Sequence, residues 1–351
     1  MKEVSIIGLD LAKRVFQVHV IDGQERVTVE KRLTRSEMLP WFTKLKPCLI
    51  GMEACATAHY WAQEFSKLGH QVRLIPPAYV KPYVRRQKND RADAAAICEA
   101  VSRPHMRFAT IKTIDQQGVQ MLHRSRQLLV RQRIQLTNAL RSHLAELGVI
   151  FPQGKAGITR MMAAAQEAND TELPAFIQQV LCLLVEQIKH LKKQTMALDK
   201  QLTEWHRAHA DSQRLATIPG IGMVTATALI AAIGDGKQFS SGREFAAWVG
   251  LVPRQNSSGG KEQLGRISKK GNVYLRQLLV TGATTQLVPS YRAKAQDSSW
   301  FEQLLRRKPA RLATVALANK MARIAWAVLT KGEGYKAPHI INAAGAVMVA
   351  A

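Results

Sequence analysis

Four carboxylates in the first hundred residues have the types and spacing that could do chemistry: Asp10, Glu53, Asp90 and Asp93. Asp10 interrupts the apolar run VSIIGLDLAKRVFQVHVID, and Glu53 lies in CLIGMEACATAHYW, where a strand pattern gives way to a helix. Asp90 and Asp93 open the alanine-rich stretch NDRADAAAICEAV, so at helical spacing both project from one face. A phosphodiester resists attack because it is anionic. Two Mg²⁺ ions roughly 4 Å apart overcome this by clamping the attacking and leaving oxygens, and such hard cations take carboxylate ligands. Each residue taken singly has a structural explanation. Asp10 could end a strand, Glu53 could sit at a helix N-terminus favoured by the dipole, and Asp90 with Asp93 could be a cap and its third helical residue. Taken as a set, each at an element edge in a very basic chain, they point to metal-assisted chemistry on nucleic acid.

Three further stretches carry candidate contacts. KPYVRRQK places Arg85, Arg86 and Lys88 just before the carboxylate pair. IPGIG sets Gly220 and Gly222 around Ile221 between helical patterns, where a tight turn can present amide N–H groups to a phosphate. It resembles the hairpin of a helix-hairpin-helix element, and equally an ordinary helix–helix turn. RQNSSGGKEQLGRISKKGNVYLR holds Arg254, Lys261, Arg266, Lys269, Lys270 and Arg276 against one acid, Glu262. Within it Ser257 and Ser258 precede Gly259 and Gly260. A serine is a poor nucleophile at its own pKa, and no His or Asp adjoins these two, so on residues alone SSGG reads as a flexible surface loop. His19, His59, His70 and His123 lack ligand spacing and read as structural or surface residues.

Composition narrows the class. The 351 residues suit two or three folded units, and 50 Lys+Arg against 26 Asp+Glu give a net charge of +24. Such an excess points to a polyanionic partner, because each cation set on a phosphate releases counterions. Four cysteines without paired spacing (Cys48, Cys55, Cys98, Cys182) indicate neither a zinc site nor a disulfide framework, and hence a reduced cytosolic setting. The start MKEVSIIGLD is a strand pattern rather than a signal peptide, and no apolar run approaches the length of a membrane span.

These residues must be positioned by elements that the pattern also predicts. VSIIGLDLA, VFQVHVID and ERVTVEKRL read as three successive strands. RSEMLPWFTKL follows as a helix, CLIGMEA as a strand, HYWAQEFSKLG as a helix and QVRLIPP as a strand, with residues 78–101 largely helical. Leu122, Leu129, Leu136, Leu140, Leu144 and Leu147 then form one helical stripe, and Ile177, Leu181, Leu184, Ile188, Leu191, Leu198, Leu202 and Trp205 another. The sustained a/d spacing argues a coiled coil, either as a hairpin within the chain or as a dimer seam. The predicted organisation is an α/β unit over residues 1–110, a helical coiled-coil region over 111–210 and a mainly α unit over 211–330. Residues 331–351 form a tail without evident role.

The stretches IIGLDLAK, GMEAC, KNDRADA, IPGIGMVTA, FAAWVGLVPRQNSSGGK and GRISKKGNVYLRQLLV occur in order along the chain. Together they resemble the DEDD transposases of bacterial insertion sequences, from residue 1 to about residue 329. The resemblance implies an RNase H-like (RuvC-like) N-terminal domain whose Asp10, Glu53, Asp90 and Asp93 hold Mg²⁺. It implies a C-terminal transposase domain in which Ser258 attacks DNA and forms a covalent phosphoserine link, with Ser257 as its rival for the role. It further implies a bacterial cytoplasmic enzyme that acts on element ends and a target. An element-encoded guide RNA would supply sequence choice by base pairing, and the protein would work as a homodimer or homotetramer. The alternatives are a RuvC-type nuclease that uses water as its nucleophile and a non-catalytic DNA- or RNA-binding protein.

Overall fold

The computed structural model describes residues 4–84, 89–167, 173–287, 300–336, 339–341 and 347–349. The chain divides into two compact units, Met1–Thr113 and Ile114–Ala351.

In the first unit the strand patterns form strands: β1 (Val4–Leu11), β2 (Val15–Asp22), β3 (Val27–Thr34), β4 (Leu49–Glu53) and β5 (Gln71–Ile75). They join in one sheet of order β3-β2-β1-β4-β5. The first three run antiparallel as a meander, while β4 and β5 add in parallel beyond β1. Period-2 alternation sorts the side chains between the two faces. Ile7 and Leu9, Phe16, Val18 and Val20, and Ile50 and Met52 share one face, which is closed by helices α1 (Met38–Phe42) and α2 (Ala58–Lys67) through Phe42, Trp61 and Phe65. Fully burying an aromatic or aliphatic side chain of this kind contributes about 1.5–3 kcal/mol, so this layer dominates the stability of the unit.

The opposite face receives α4 (Asp90–Val101), which follows the short α3 (Pro77–Val80) and a single 3₁₀ turn. Alanines let α4 lie close: Ala94, Ala96, Ala100, Ile97 and Val101 are all buried. The sheet makes room with glycine. A Cβ on Gly8 would stand 2.2 Å from the Ala94 carbonyl oxygen, and one on Gly51 would stand 2.7 Å from Val101. Gly8 and Gly51 are direct neighbours in the β1–β4 register, so together they form the seat on which the helix rests.

The second unit is mainly helical. Its long helices are α5 (Ile114–Glu146) and α7 (Ala175–Ala208), with α6 (Lys155–Glu167) between them. The leucine stripes face each other inside the chain: Leu140 and Leu144 of α5 pack with Leu181, Val185 and Ile188 of α7 and with Met161 and Ala165 of α6. These contacts are made within the chain. Beyond it come α8 (Ala210–Ala216), α9 (Met223–Ile233), α10 (Gly242–Val249), strands β6 (Pro253–Gln255) and β7 (Leu264–Ile267), α11 (Val273–Thr285), α12 (Trp300–Arg307) and α13 (Ala310–Lys331). Their apolar faces meet in one core around Leu229, Phe245, Leu279, Met321 and Ala325. By length and composition α13 would suffice to cross a membrane, contrary to the expectation of no such segment. It serves instead as a core helix, with Ala318, Ala322 and Ala325 fully buried against its neighbours. The tail, which the pattern left without elements, contains the paired strands β8 (His339–Ile341) and β9 (Val347–Val349).

His123 ties three helices of this unit together. Its Nε2 lies 3.0 Å from the Thr227 hydroxyl on α9 and its Nδ1 3.0 Å from the Tyr274 hydroxyl on α11. Thr227 donates its own proton to the Met223 carbonyl, 2.9 Å away, so its oxygen accepts from Nε2–H and Tyr274 donates to Nδ1. The imidazole is thereby held neutral, and burial, with Arg126 nearby, pushes its pKa down to about 4. His70 is also structural: its ring accepts from the Cys48 N–H and bonds the Phe42 carbonyl. His59 accepts from the Lys112 N–H.

Candidate active site

The seat of α4 decides where the carboxylates go. Gly8 and Asp10 lie on one face of β1, and Gly51 and Glu53 on the same face of β4, because side chains two apart point the same way. The last β1–β4 pair is Leu9 with Met52, which sets Asp10 and Glu53 one step further on at the C-terminal ends of adjacent parallel strands. Ala94 and Cys98 stand over Gly8 and Val101 over Gly51, so α4 crosses the sheet from β1 toward β4, and the charges of Asp93 and Asp90 in its first turn are felt at Asp10. Asn89 caps that N-terminus by accepting from the Ala92 N–H at 2.8 Å. Asn89 is therefore the cap, and Asp90 and Asp93 both belong to the first turn, where they face the helix dipole.

The electrostatics report the convergence. Asp10 is half-buried, and its carboxyl is pushed up to about 6 by burial first, then by the negative charges of Asp93, Asp90 and Glu53. The negative charge that raises Asp10 is what a bound cation would offset. The donors are all hard oxygens, which suits a divalent ion such as Mg²⁺. Among the described residues no three His, Cys, Asp or Glu side chains stand close enough together to hold a metal ion as placed, so the carboxylates neighbour Asp10 without forming a ready-made cage.

A second network steadies this end of α4 and carries no signal in the sequence pattern. Arg91, between the two aspartates, ion-pairs with Glu30 on β3, and Glu30 in turn meets the His19 ring at 3.2 Å. His19 pairs with Gly8 on one side and Glu30 on the other in the strand register. Cross-strand pairing could have suggested the His19–Glu30 contact, but the partner from α4 arrives only through the fold.

The serines lie in the second unit. SSGG is not a floppy loop: β6 and β7 pair antiparallel, and the segment between them turns back on itself. The Lys261 N–H donates to the Ser258 carbonyl at 3.1 Å, with Gly259 and Gly260 as the central residues at φ +56° and +77°. Positive φ at both positions is what the tight I′ hairpin turn demands, and it explains two consecutive glycines. The turn separates the two serines. The Ser257 hydroxyl accepts the Gln263 N–H at 3.2 Å and so helps hold the hairpin. Ser258 stands exposed at the tip, and its hydroxyl makes no hydrogen bond among the described residues.

Of the basic residues around it, Arg254, Lys261, Arg266, Lys269 and Lys270 are exposed. Arg276 is different: it donates to the carbonyls of Val249 at 2.8 Å and Lys270 at 3.1 Å, pinning the loop before α11. IPGIG joins α8 to α9. Gly220 has φ +85° and lies against Gly282 of α11, backbone to backbone, so close packing already accounts for it, while Gly222 is exposed at the N-terminus of α9. Arg85, Arg86 and Lys88 lie outside the described residues.

A mixed α/β sheet with carboxylates at its strand ends, followed by a mainly helical region, is consistent with an RNase H-like DEDD domain and its C-terminal partner. Comparison with known proteins agrees. Residues 7–149 match a DEDD transposase model, described as "Transposase", and residues 212–298 match the model "Transposase IS116/IS110/IS902 family". The chain is 46% identical to a Pseudomonas aeruginosa protein named "Probable family 20 transposase", over 95% of this chain and 99% of that protein. It is 41% identical to the transposase for insertion sequence element IS1328 of Yersinia enterocolitica, over 95% and 98% of the two chains. With the transposase for element IS1111A of Coxiella burnetii it shares 39% identity, over 96% and 92%. The chain belongs to the IS110/IS116 family of insertion-sequence transposases. It is a DNA transposase, and its DEDD domain implies dependence on a divalent metal.

Proposed function

We propose that the chain cuts and exchanges DNA strands with Asp10, Glu53, Asp90 and Asp93 as ligands to Mg²⁺ and Ser258 as the nucleophile. The observation that supports the metal assignment is that Asp10, at the end of β1 beside Glu53 at the end of β4, feels the negative charges of Asp93, Asp90 and Glu53. The bound metal would lower the barrier to forming the serine alkoxide and stabilise charge on the phosphate. The chain supplies the rest. Ser258 Oγ gives up its proton and bonds to phosphorus while the bond from phosphorus to a sugar oxygen breaks; that oxygen takes up a proton and departs as a free sugar hydroxyl, leaving a phosphoserine link. A sugar hydroxyl of another strand later attacks that phosphorus and releases the serine. The rigid turn favours Ser258 over Ser257, because the Ser257 hydroxyl is already engaged by the hairpin. The carboxylates lie in one unit and Ser258 in the other, so the reaction requires both units to act on one phosphodiester, from one chain or from two protomers in a homodimer or homotetramer.

The high positive charge, with no dedicated base-reading module in the sequence, supports delegation of sequence choice to an element-encoded guide RNA. Four free thiols fit a reduced cytoplasmic setting. The test is covalent trapping in cells that carry the element, its flanks and a target, with denaturation before probing for protein joined to DNA. An adduct present in wild type and Ser257→Ala but lost in Ser258→Ala and Asp10→Ala is the expected result. Cleaved DNA without an adduct in any of these would instead establish water as the nucleophile.

A further inference from the structure

The second unit contains a cleft of about 1820 Å³ that the catalytic reading leaves unused. One wall is β7, the returning strand of the serine hairpin, and the other is α13. Its described lining carries seven Lys and Arg side chains and no carboxylate, which makes it a concentrated anion-attracting surface within an already basic chain. Its lining is nevertheless partly apolar, with half-buried Val315 and Ile324 beside buried Leu251. Trp300 lines the same cleft at 42% exposure, and the Lys320 ammonium stands 4.5 Å from its ring centroid. Such exposure is unusual for a tryptophan, which normally buries its large ring. Lys320 is itself partly buried, and burial together with Arg323 lowers its pKa, so the cleft holds cations crowded against one another.

Duplex DNA presents phosphates outward and hides its bases, so it would use the cations but neither the ring nor the apolar lining. A single strand presents both phosphates and flat base faces, which is the pairing of groups found here. We infer that this cleft binds an unpaired DNA strand, with Trp300 as a stacking platform for a base and Arg266, Arg311 and Arg323 along the sugar–phosphate backbone. The choice of DNA rests on the transposase reading above; the choice of a single strand rests on the cleft alone. Because β7 runs directly from the Ser258 turn, a strand lying in the cleft would be led toward the hairpin tip.

The test uses the full-length Ser258→Ala protein, so that binding is read without cutting. Fluorescence anisotropy with labelled oligothymidylate, oligouridylate and a duplex of equal length would be run on that background and on added Trp300→Ala, Trp300→Phe and Arg311→Glu. Stacking contributes about 1–3 kcal/mol per base, so Trp300→Ala should weaken oligothymidylate binding roughly tenfold or more while Trp300→Phe keeps most of it. Arg311→Glu should weaken it as well, and duplex affinity should change little with Trp300→Ala. Unchanged oligothymidylate affinity in both Trp300→Ala and Arg311→Glu would overturn the inference, as would losses equal for duplex and single strand. A loss confined to oligouridylate would assign the cleft to RNA and likewise overturn it. None of these outcomes bears on the serine adduct, which is read separately by trapping.

Discussion

Two glycines do more to place the proposed metal ligands than any charged neighbour. Gly8 and Gly51 let α4 approach the sheet until its backbone touches β1, and the helix carries Asp90 and Asp93 with it. Gly8→Ala would force a methyl group into the Ala94 carbonyl. The expected outcome is a loss of about 1–3 kcal/mol in stability, typical of overpacking, and a larger fall in cleavage than in DNA binding, because α4 would be displaced at its catalytic end. Urea unfolding and a cleavage assay on the same preparation would check both parts. Ser257 and Ser258 make the complementary case: neighbours of the same type, one with its hydroxyl engaged and the other exposed. A Ser257→Ala protein should still form the covalent adduct, with hairpin stability lowered by about 0.5–1.5 kcal/mol, the net contribution of an ordinary hydrogen bond. An adduct formed by Ser258→Ala but lost in Ser257→Ala would reverse the assignment.

At the scale of elements, the His123 junction binds α5, α9 and α11 into one body and makes the second unit pH-sensitive. In the folded protein the imidazole protonates only near pH 4, whereas in the unfolded chain it does so near 6.5. Below 6.5 the unfolded state takes up a proton that the folded state refuses, so the stabilisation present above pH 6.5 is lost progressively toward pH 4. Between pH 7.5 and pH 5 the loss attributable to this residue should be about 2 kcal/mol, seen as a fall in the urea midpoint that His123→Asn largely removes. A midpoint equally pH-dependent in His123→Asn would show that other groups dominate. The β6–β7 hairpin is the other element on which the proposed reaction depends. Gly259→Ala and Gly260→Ala introduce a side chain at positive φ, and each should reduce the covalent adduct severalfold while leaving the circular dichroism spectrum unchanged.

For the whole molecule, the governing quantity is charge. A net +24 means that affinity for non-specific DNA should fall steeply with ionic strength, by orders of magnitude between 50 and 200 mM salt if roughly six to ten phosphates are contacted. A flat titration would show that the cations are not engaged by the backbone. The same charge suits contacts to nucleic acid backbones, which the proposed delegation of base choice to a guide RNA would require.

What could be read without the fold was whatever depends on local pattern. The three-strand meander, the following helices and strands and the leucine stripes follow from periodicities of 2 and 3.6, which each residue signals by its own type. The four carboxylates were visible because aspartate and glutamate at the ends of apolar runs are conspicuous. Other features depended on contacts between residues far apart in the chain. The stripes could serve a hairpin or a dimer equally well, and packing across α5, α6 and α7 showed them meeting within the chain. Gly220 read equally as part of a phosphate-binding hairpin or of a helix–helix turn, and its close approach to Gly282 was legible only in the fold. SSGG read as a loose loop because two-residue hairpin turns leave almost no periodicity on either side, and only the pairing of β6 with β7 made it rigid. The arrival of Arg91 at Glu30 and the cleft beside Trp300 had no signature at all, since each is made by segments that meet only when the backbone folds.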